Sequence, residues 1–340
     1  MTFSKGRGLL LAAAIGSALP NAQAATDIAA EPGFSGFFTI GAGAASANSN
    51  QIAIGTDNSR IESIDARPGK ASTTMPALSL SLTYTFENLD TEVFLGDSIE
   101  DFVRLDFATL LGVRHKVSGT GIFEVVALQT PFATDAWADP YAVGVERDET
   151  ERSGNGVRLQ WGKILDSGFD LRISSRKNKI DDERSGEQAL DDNLITLDEQ
   201  RLLNRNGEIN RLSLVYNWDR GRGQLLSLIA SYEDFDLDGK AMAFDGYSLQ
   251  LSNVSLLSPR LRLASNLVLG RHQHDTVNPL YGKKNDRKLA ALGLTLFVSE
   301  PFGAKGWFGN ATLAYAREDT AIDFYDTTAA YLNLGMIRRF

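Results

Sequence analysis

The residues with the most definite chemistry are Asp234, Asp236 and Asp238, followed by Gly239 and, at the twelfth position, Asp245. Carboxylates at alternate positions, with a glycine at the sixth to allow a sharp turn, are the pattern of a loop that wraps Ca²⁺ in oxygen ligands. The twelfth residue is Asp, which reaches less far than the usual Glu, and the flanks alternate like strands rather than helices. The spacing predicts either a calcium site in a surface loop or a solvated acidic hairpin tip, where Asp and Gly serve the turn.

A second constellation is spread along the chain. Arg104, Asp106, Arg114, Glu124, Arg158, Asp170, Arg172, Arg176, Arg211 and Arg262 each alternate with apolar neighbours, which in extended chain places the charges on one face and the apolar residues on the other. Such rows can face a water-filled lumen, where fixed charge sets ion preference and an excess of Arg favours anions. They can equally pair across strands and fill the lumen as a structural network. Hydrolytic chemistry has less support. The three histidines, His115, His272 and His274, accompany no G-x-S-x-G turn and no nucleophile at a suitable spacing, so ordinary solvated histidines are expected and the sequence points away from an enzyme.

The elements that must position these charges are strands. In Leu78–Phe86, LSLSLTYTF, every second residue is apolar and the residues between are small hydroxyls. The alternation recurs from Gly33 to Ser46, through Val103, Leu105, Phe107, Thr109, Leu111 and Val113, through Phe123, Val125 and Ala127, and through Val157, Leu159 and Trp161. It continues with Phe169, Leu171 and Ile173, with Leu212, Leu214 and Tyr216, and onward to Phe340. About fourteen strands are expected (twelve to sixteen), with short turns and longer polar loops alternating between them. That asymmetry predicts an all-β, antiparallel up-and-down transmembrane barrel with short periplasmic turns and longer outside loops, and it has no rationale in a sandwich. Aromatic residues such as Tyr84, Phe86, Tyr216, Trp218, Tyr232 and Tyr315 stand near the ends of apolar rows, where interfacial girdles sit.

Residues 1–24 read as a signal peptide: Lys5 and Arg7 precede an apolar run from Leu9 to Leu19, and Ala22-Gln23-Ala24 supplies small residues for cleavage. Residues 25–32 read as a short periplasmic segment and 33–340 as one barrel domain. The formal charge of −9 becomes −11 without Lys5 and Arg7, so nucleic acid is excluded as a partner on charge. The chain has no Cys and therefore no disulfide, and beyond the signal no apolar run is long enough to cross a bilayer as a helix. The segment from Lys177 to Glu208 is the largest polar insertion, with a short helix possible within Leu190–Leu203. Its Asp181, Asp182, Glu183, Asp191 and Asp192 could share divalent cations with lipopolysaccharide, although composition favours a solvated, mobile loop.

Leu332, Leu334 and Met336, alternating toward Phe340, resemble the terminal strand of Gram-negative outer-membrane barrels; Arg338 departs from that pattern. The resemblance implies the cell outer membrane as location and Phe340 as part of the signal read by the barrel-assembly machinery. The stretches PGFSGFFTIGAGAASANSNQ and LGDSIEDFVRLDFATLLGVR are similar to an uncharacterised proteobacterial outer-membrane family, which supplies no activity. The expected function is a porin-like channel for small, anionic solutes. The alternatives are a plugged structural or surface-interaction barrel and, with less support, a lipid hydrolase. No cofactor is expected apart from the calcium considered above.

Overall fold

The alternation of the sequence is realised as sixteen strands and two single-turn helices in a computed structural model, which describes residues 28–53, 58–101, 106–130 and 133–340. The first half holds β1 (Gly33–Asn48), β2 (Lys70–Thr85), β3 (Thr91–Asp101), β4 (Asp106–Val117), β5 (Gly121–Gln129), β6 (Thr134–Trp137), β7 (Glu149–Ser153), β8 (Asn155–Gly162) and β9 (Phe169–Ile180). The helices α1 (Glu187–Asp191) and α2 (Leu197–Arg201) follow. The second half holds β10 (Gly207–Asp219), β11 (Leu225–Leu237), β12 (Phe244–Ser258), β13 (Leu261–Gln273), β14 (Arg287–Ser299), β15 (Trp307–Thr320) and β16 (Thr327–Arg339).

Fourteen of these strands form a closed antiparallel barrel, in which each pairs with the next and β16 returns to β1. The remaining two, β6 and β7, pair with each other above the wall. Phe340 completes the seam: its N–H donates to the Gly36 carbonyl at 3.1 Å and its carbonyl accepts from Gly36 N–H at 3.0 Å.

Leu78, Leu80, Leu159, Ile173, Leu249 and Leu334 point out of the barrel and are exposed, as lipid-facing residues are. Serines, threonines and charged residues take the other face. Aromatic pairs ring the periplasmic end: Phe34–Tyr84 at 4.8 Å, Phe123–Trp161 at 5.7 Å and Phe169–Tyr216 at 4.8 Å, while Tyr232–Tyr247 at 5.2 Å marks the outer interface. Both chain ends of the barrel lie on the side of the short turns, and the longer connections lie opposite.

The structure lengthens some expected elements. β2 begins at Lys70, eight residues before LSLSLTYTF, because small residues and Pro76 hide the alternation there. The connection between β5 and β8 contains the β6–β7 hairpin and the fully buried Trp137. Residues 1–27, including the expected signal peptide, and Val103, Arg104 and Leu105 lie outside the described residues.

Candidate functional site

The largest apolar core among the described residues sits across the outer mouth of the barrel, built from its loops. Ile61, Tyr141, Ala189, Ile195, Leu203, Met242, Ile322, Phe324 and Tyr325 come from five different connections and pack onto Phe235, Leu237 and Phe244 at the strand ends. Tyr281 and Leu280 join from a sixth. Loops normally expose such side chains to water; here six of them share one core, as the elements of a small domain do.

Polar contacts lock the cap. The hydroxyls of Tyr141 and Tyr325 lie 2.5 Å apart, and Asn278 Nδ2 donates to Tyr325 at 2.7 Å. Burial pushes the Tyr325 phenol up to about 12 and raises Tyr141 well above its ordinary value, so both remain protonated donors. Asp139 accepts from the backbone of Gly186 at 2.9 Å and Gln188 at 3.0 Å, which joins the hairpin loop to α1. Arg205 donates to Glu183 at 2.9 Å and to the Trp137 and Ala138 carbonyls, so the long insertion is anchored on the hairpin. The 177–208 segment, expected as a solvated mobile loop, is thus a packed part of the cap. Of its apolar Ala189, Ile195 and Leu203 only the first lies within a helix, and the others flank α2, so no periodicity marks them inside a charged stretch.

One strain is built into this cap. Asp135 of β6 stands directly opposite Glu151 of β7, with Glu149 also on that strand. Burial first, then the charges of Glu149 and Glu151, lift the Asp135 carboxyl to about 6. Like charges directly opposed in a ladder are destabilising, so the hairpin is a weak element of an otherwise well-packed lid.

Beneath the lid lies a cavity of about 100 Å³. Phe235, Phe244, Leu237, Met242, Ile209 and Ile180 supply its apolar wall, and Arg152, Arg205, Arg287 and Glu318 its charge. The Arg287 guanidinium lies 4.0 Å from the centre of the Phe244 ring, binds Glu318 at 3.1 Å and contacts His274 Nε2 at 3.1 Å. One layer deeper, Glu233 bridges Arg211 at 3.0 Å and His272 at 2.9 Å. His272 and His274, expected to be solvated, are both buried. Ser248 donates to Glu233 at 3.3 Å.

The remaining charges of the sequence-derived row divide by depth. At the periplasmic end Arg114 bridges Glu92 and Glu124, each at 3.5 Å, and caps the Phe94 ring at 4.3 Å. Arg172 donates to Gln160 at 2.8 Å. Asp170 is completely buried and accepts from the Lys163 backbone at 2.8 Å and Asn217 at 2.9 Å, which makes it a brace for the turn rather than a surface for solutes. Arg158 and Arg176 project from the inner faces of β8 and β9, and Arg176 is buried against the Gly154–Gly156 backbone. Arg262 lies exposed at the periplasmic rim against Gly223. Asp106 starts β4. The described members of the row therefore fall into separate groups at different depths, with Arg114, Glu124 and Arg211 in ion pairs. Periodicity showed which face each charge occupies, but not its neighbours on other strands.

The acidic motif is largely extended in the structure. Asp234 and Asp236 lie within β11 and Asp245 within β12, directly opposite Asp234, so the chain is extended where a calcium loop would curl. Asp236 binds Lys240 at 2.6 Å and Asp245 accepts from Tyr232 at 3.2 Å, while Asp238 is exposed just past the strand end. Among the described residues no group of three or more carboxylates or imidazoles is arranged to hold a metal ion. The spacing of Asp234 and Asp236 is also the period-two spacing of β11.

Several solved structures are similar to this chain at low identity. A Pseudomonas aeruginosa FadL homologue is 10% identical over 90% of this chain and 90% of its own, with a TM-score of 0.43. The outer membrane channel DcaP of Acinetobacter baumannii is 11% identical over 90% and 96%, at 0.44. An anion-selective porin from Comamonas acidovorans is 10% identical over 91% and 100%, at 0.41. No curated protein matches the sequence. The chain is a closed antiparallel β-barrel, and no helix among its described residues is long and apolar enough to cross a membrane. Residues 33–337 match the model of a family described as a protein of unknown function, DUF2860, and the chain belongs to that family.

Proposed function

We propose that this barrel is a gated channel for small amphipathic anions, with the loop-built lid closing its outer mouth and the cavity beneath serving as the solute's first binding place. The observation that carries this reading is the composition of that cavity, in which three guanidiniums and one carboxylate stand around a wall of Phe235, Phe244, Leu237 and Met242. Such a lining suits a negative head and a short apolar body. A volume of about 100 Å³ is of the order of engineered cavities, about 150 Å³, that accept one benzene-sized molecule. An open diffusion pore would leave its mouth wet, whereas here passage needs part of the lid to move, and the β6–β7 hairpin with its opposed carboxylates is the piece expected to yield.

Calorimetry with hexanesulfonate, which stays anionic at all working pH values, tests the reading on the refolded protein. Saturable binding weakened by Phe244→Ala and by Arg152→Gln is expected. Absence of saturable heat in the parent protein would overturn it, and binding without transport would convert the channel into a plugged, ligand-binding barrel.

A further inference from the structure

The barrel wall is not equally closed all round. β2 has 16 residues and β3 has 11, yet only four pairs join them, Leu82–Thr85 with Glu92–Leu95. On its other edge β2 pairs with β1 along its whole length, and β3 pairs with β4 up to Asp101. Above Leu82 no further ladder pairs join the two strands, and among the described residues no strand takes up this edge of β2. Leu78 and Leu80 lie on this stretch and face lipid, while Tyr84 below marks the periplasmic girdle, so the gap begins inside the hydrocarbon layer. Unpaired backbone polar groups are costly at that depth, and natural barrels close their ladders to avoid them.

Two sequence features fit an edge rather than an interrupted ladder. Leu80 turns its N–H to this side, toward the Asp97 carboxylate, and by the alternation of ladder bonds residue 76 would do the same. Residue 76 is Pro, which has no N–H to lose and is confined in sheets to edges and bulges. Asp97 lies in the gap and accepts from Ser79 and Thr109, each at 3.2 Å, so a side chain replaces part of the missing ladder. Just inside, Phe94, Ala108, Leu110, Val126 and Leu128 form an apolar patch on the inner faces of β3, β4 and β5, where a lumen lined only for water would be polar.

We propose that the opening between β2 and β3 is a lateral portal through which uncharged apolar molecules exchange between the bilayer core and the apolar patch inside the barrel. The carboxylate of Asp97 at the threshold disfavours anions there, so the portal is a separate path from the one proposed beneath the lid, and it stands whether or not that cavity binds hexanesulfonate.

The chain has no Cys, so single-cysteine variants carry a fluorophore at one place only. In liposomes with brominated acyl chains, a label at Ser79→Cys should be quenched to within about twofold of one at the lipid-facing Leu80→Cys, and far more than one at Asn266→Cys, whose strand is laddered on both sides. Quenching at Ser79→Cys no greater than at Asn266→Cys would overturn the portal. A label at Leu110→Cys should likewise be quenched by bromododecane dissolved in the bilayer, and adding Gly96→Phe should suppress that quenching, since a side chain there starts 3.8 Å from Ser81 Oγ in the seam. Quenching that is absent, or that survives Gly96→Phe in a folded barrel, also overturns it. Hexanesulfonate binding measured on the same variants reads the lid cavity separately.

Discussion

Replacing Phe324 by Ala should open the outer mouth without unfolding the barrel. Phe324 is 1% exposed and lies in the lid, where its ring meets Tyr141 at 5.4 Å, Tyr325 at 5.3 Å and Tyr281 at 5.9 Å. Truncating a buried Phe to Ala costs about 3–5 kcal/mol through lost burial and the cavity left behind. The strands below depend on their own ladders and lipid contacts, so the loss falls on the closed lid relative to the open one. At about 1.4 kcal/mol per decade, the opening equilibrium moves by roughly two to three and a half orders of magnitude. Planar-bilayer recording is the assay: the parent protein should show rare, brief openings and Phe324→Ala sustained ones, with the heat-modifiable mobility of a folded barrel unchanged. If the variant is folded and its lid amides lose exchange protection, yet no conductance appears, the barrel is closed somewhere other than the lid and the reasoning fails.

Other outcomes follow from the same geometry. The folded hairpin holds the Asp135 proton more tightly than the unfolded chain does, at about 6 against an ordinary 3.8, so hairpin stability is highest below pH 4, falls between about pH 4 and 6, and is level above. Protection factors of amides in 134–153 should follow that curve, and Asp135→Asn should flatten it; a flat curve in the parent protein would contradict the assignment. Ile173→Arg should damage assembly far more than Arg172→Leu, because a cation on the lipid face near midplane costs about 2–4 kcal/mol while a lumen change is better tolerated, and equal folding yields in detergent would count against the register. Deleting Phe340 removes both of its bonds to Gly36 and should lower outer-membrane levels in cells; unchanged levels would argue against a role for this residue in insertion.

Much of the barrel was legible in the sequence, because period-two alternation acts within a single strand: LSLSLTYTF announces its own two faces, and short turns against long loops announce the direction of insertion. The lid was not. Tyr141, Leu203, Phe324 and Tyr325 are scattered over nearly two hundred residues, in loops that read as polar, and only the closing of the barrel brings them together. The charged row fared between these two. Its face was readable, but the partners of Arg114 and Arg211 come from registers between strands that no single segment encodes. The aspartates at 234 and 236 show how one spacing can serve two readings, since they lie within β11, whose period of two is also the spacing of alternate loop ligands. Pro76 was a true marker overlooked, a residue that belongs at an open strand edge.

The channel reading is tested most directly by uptake into proteoliposomes of two sulfonates with the same charge and different apolar length. The account predicts that hexanesulfonate enters faster and with saturation, while the smaller methanesulfonate enters slowly and without it, because the cavity beneath the lid recognises an apolar body as well as an anionic head. Entry ordered by size, with methanesulfonate the faster and neither saturable, would contradict it.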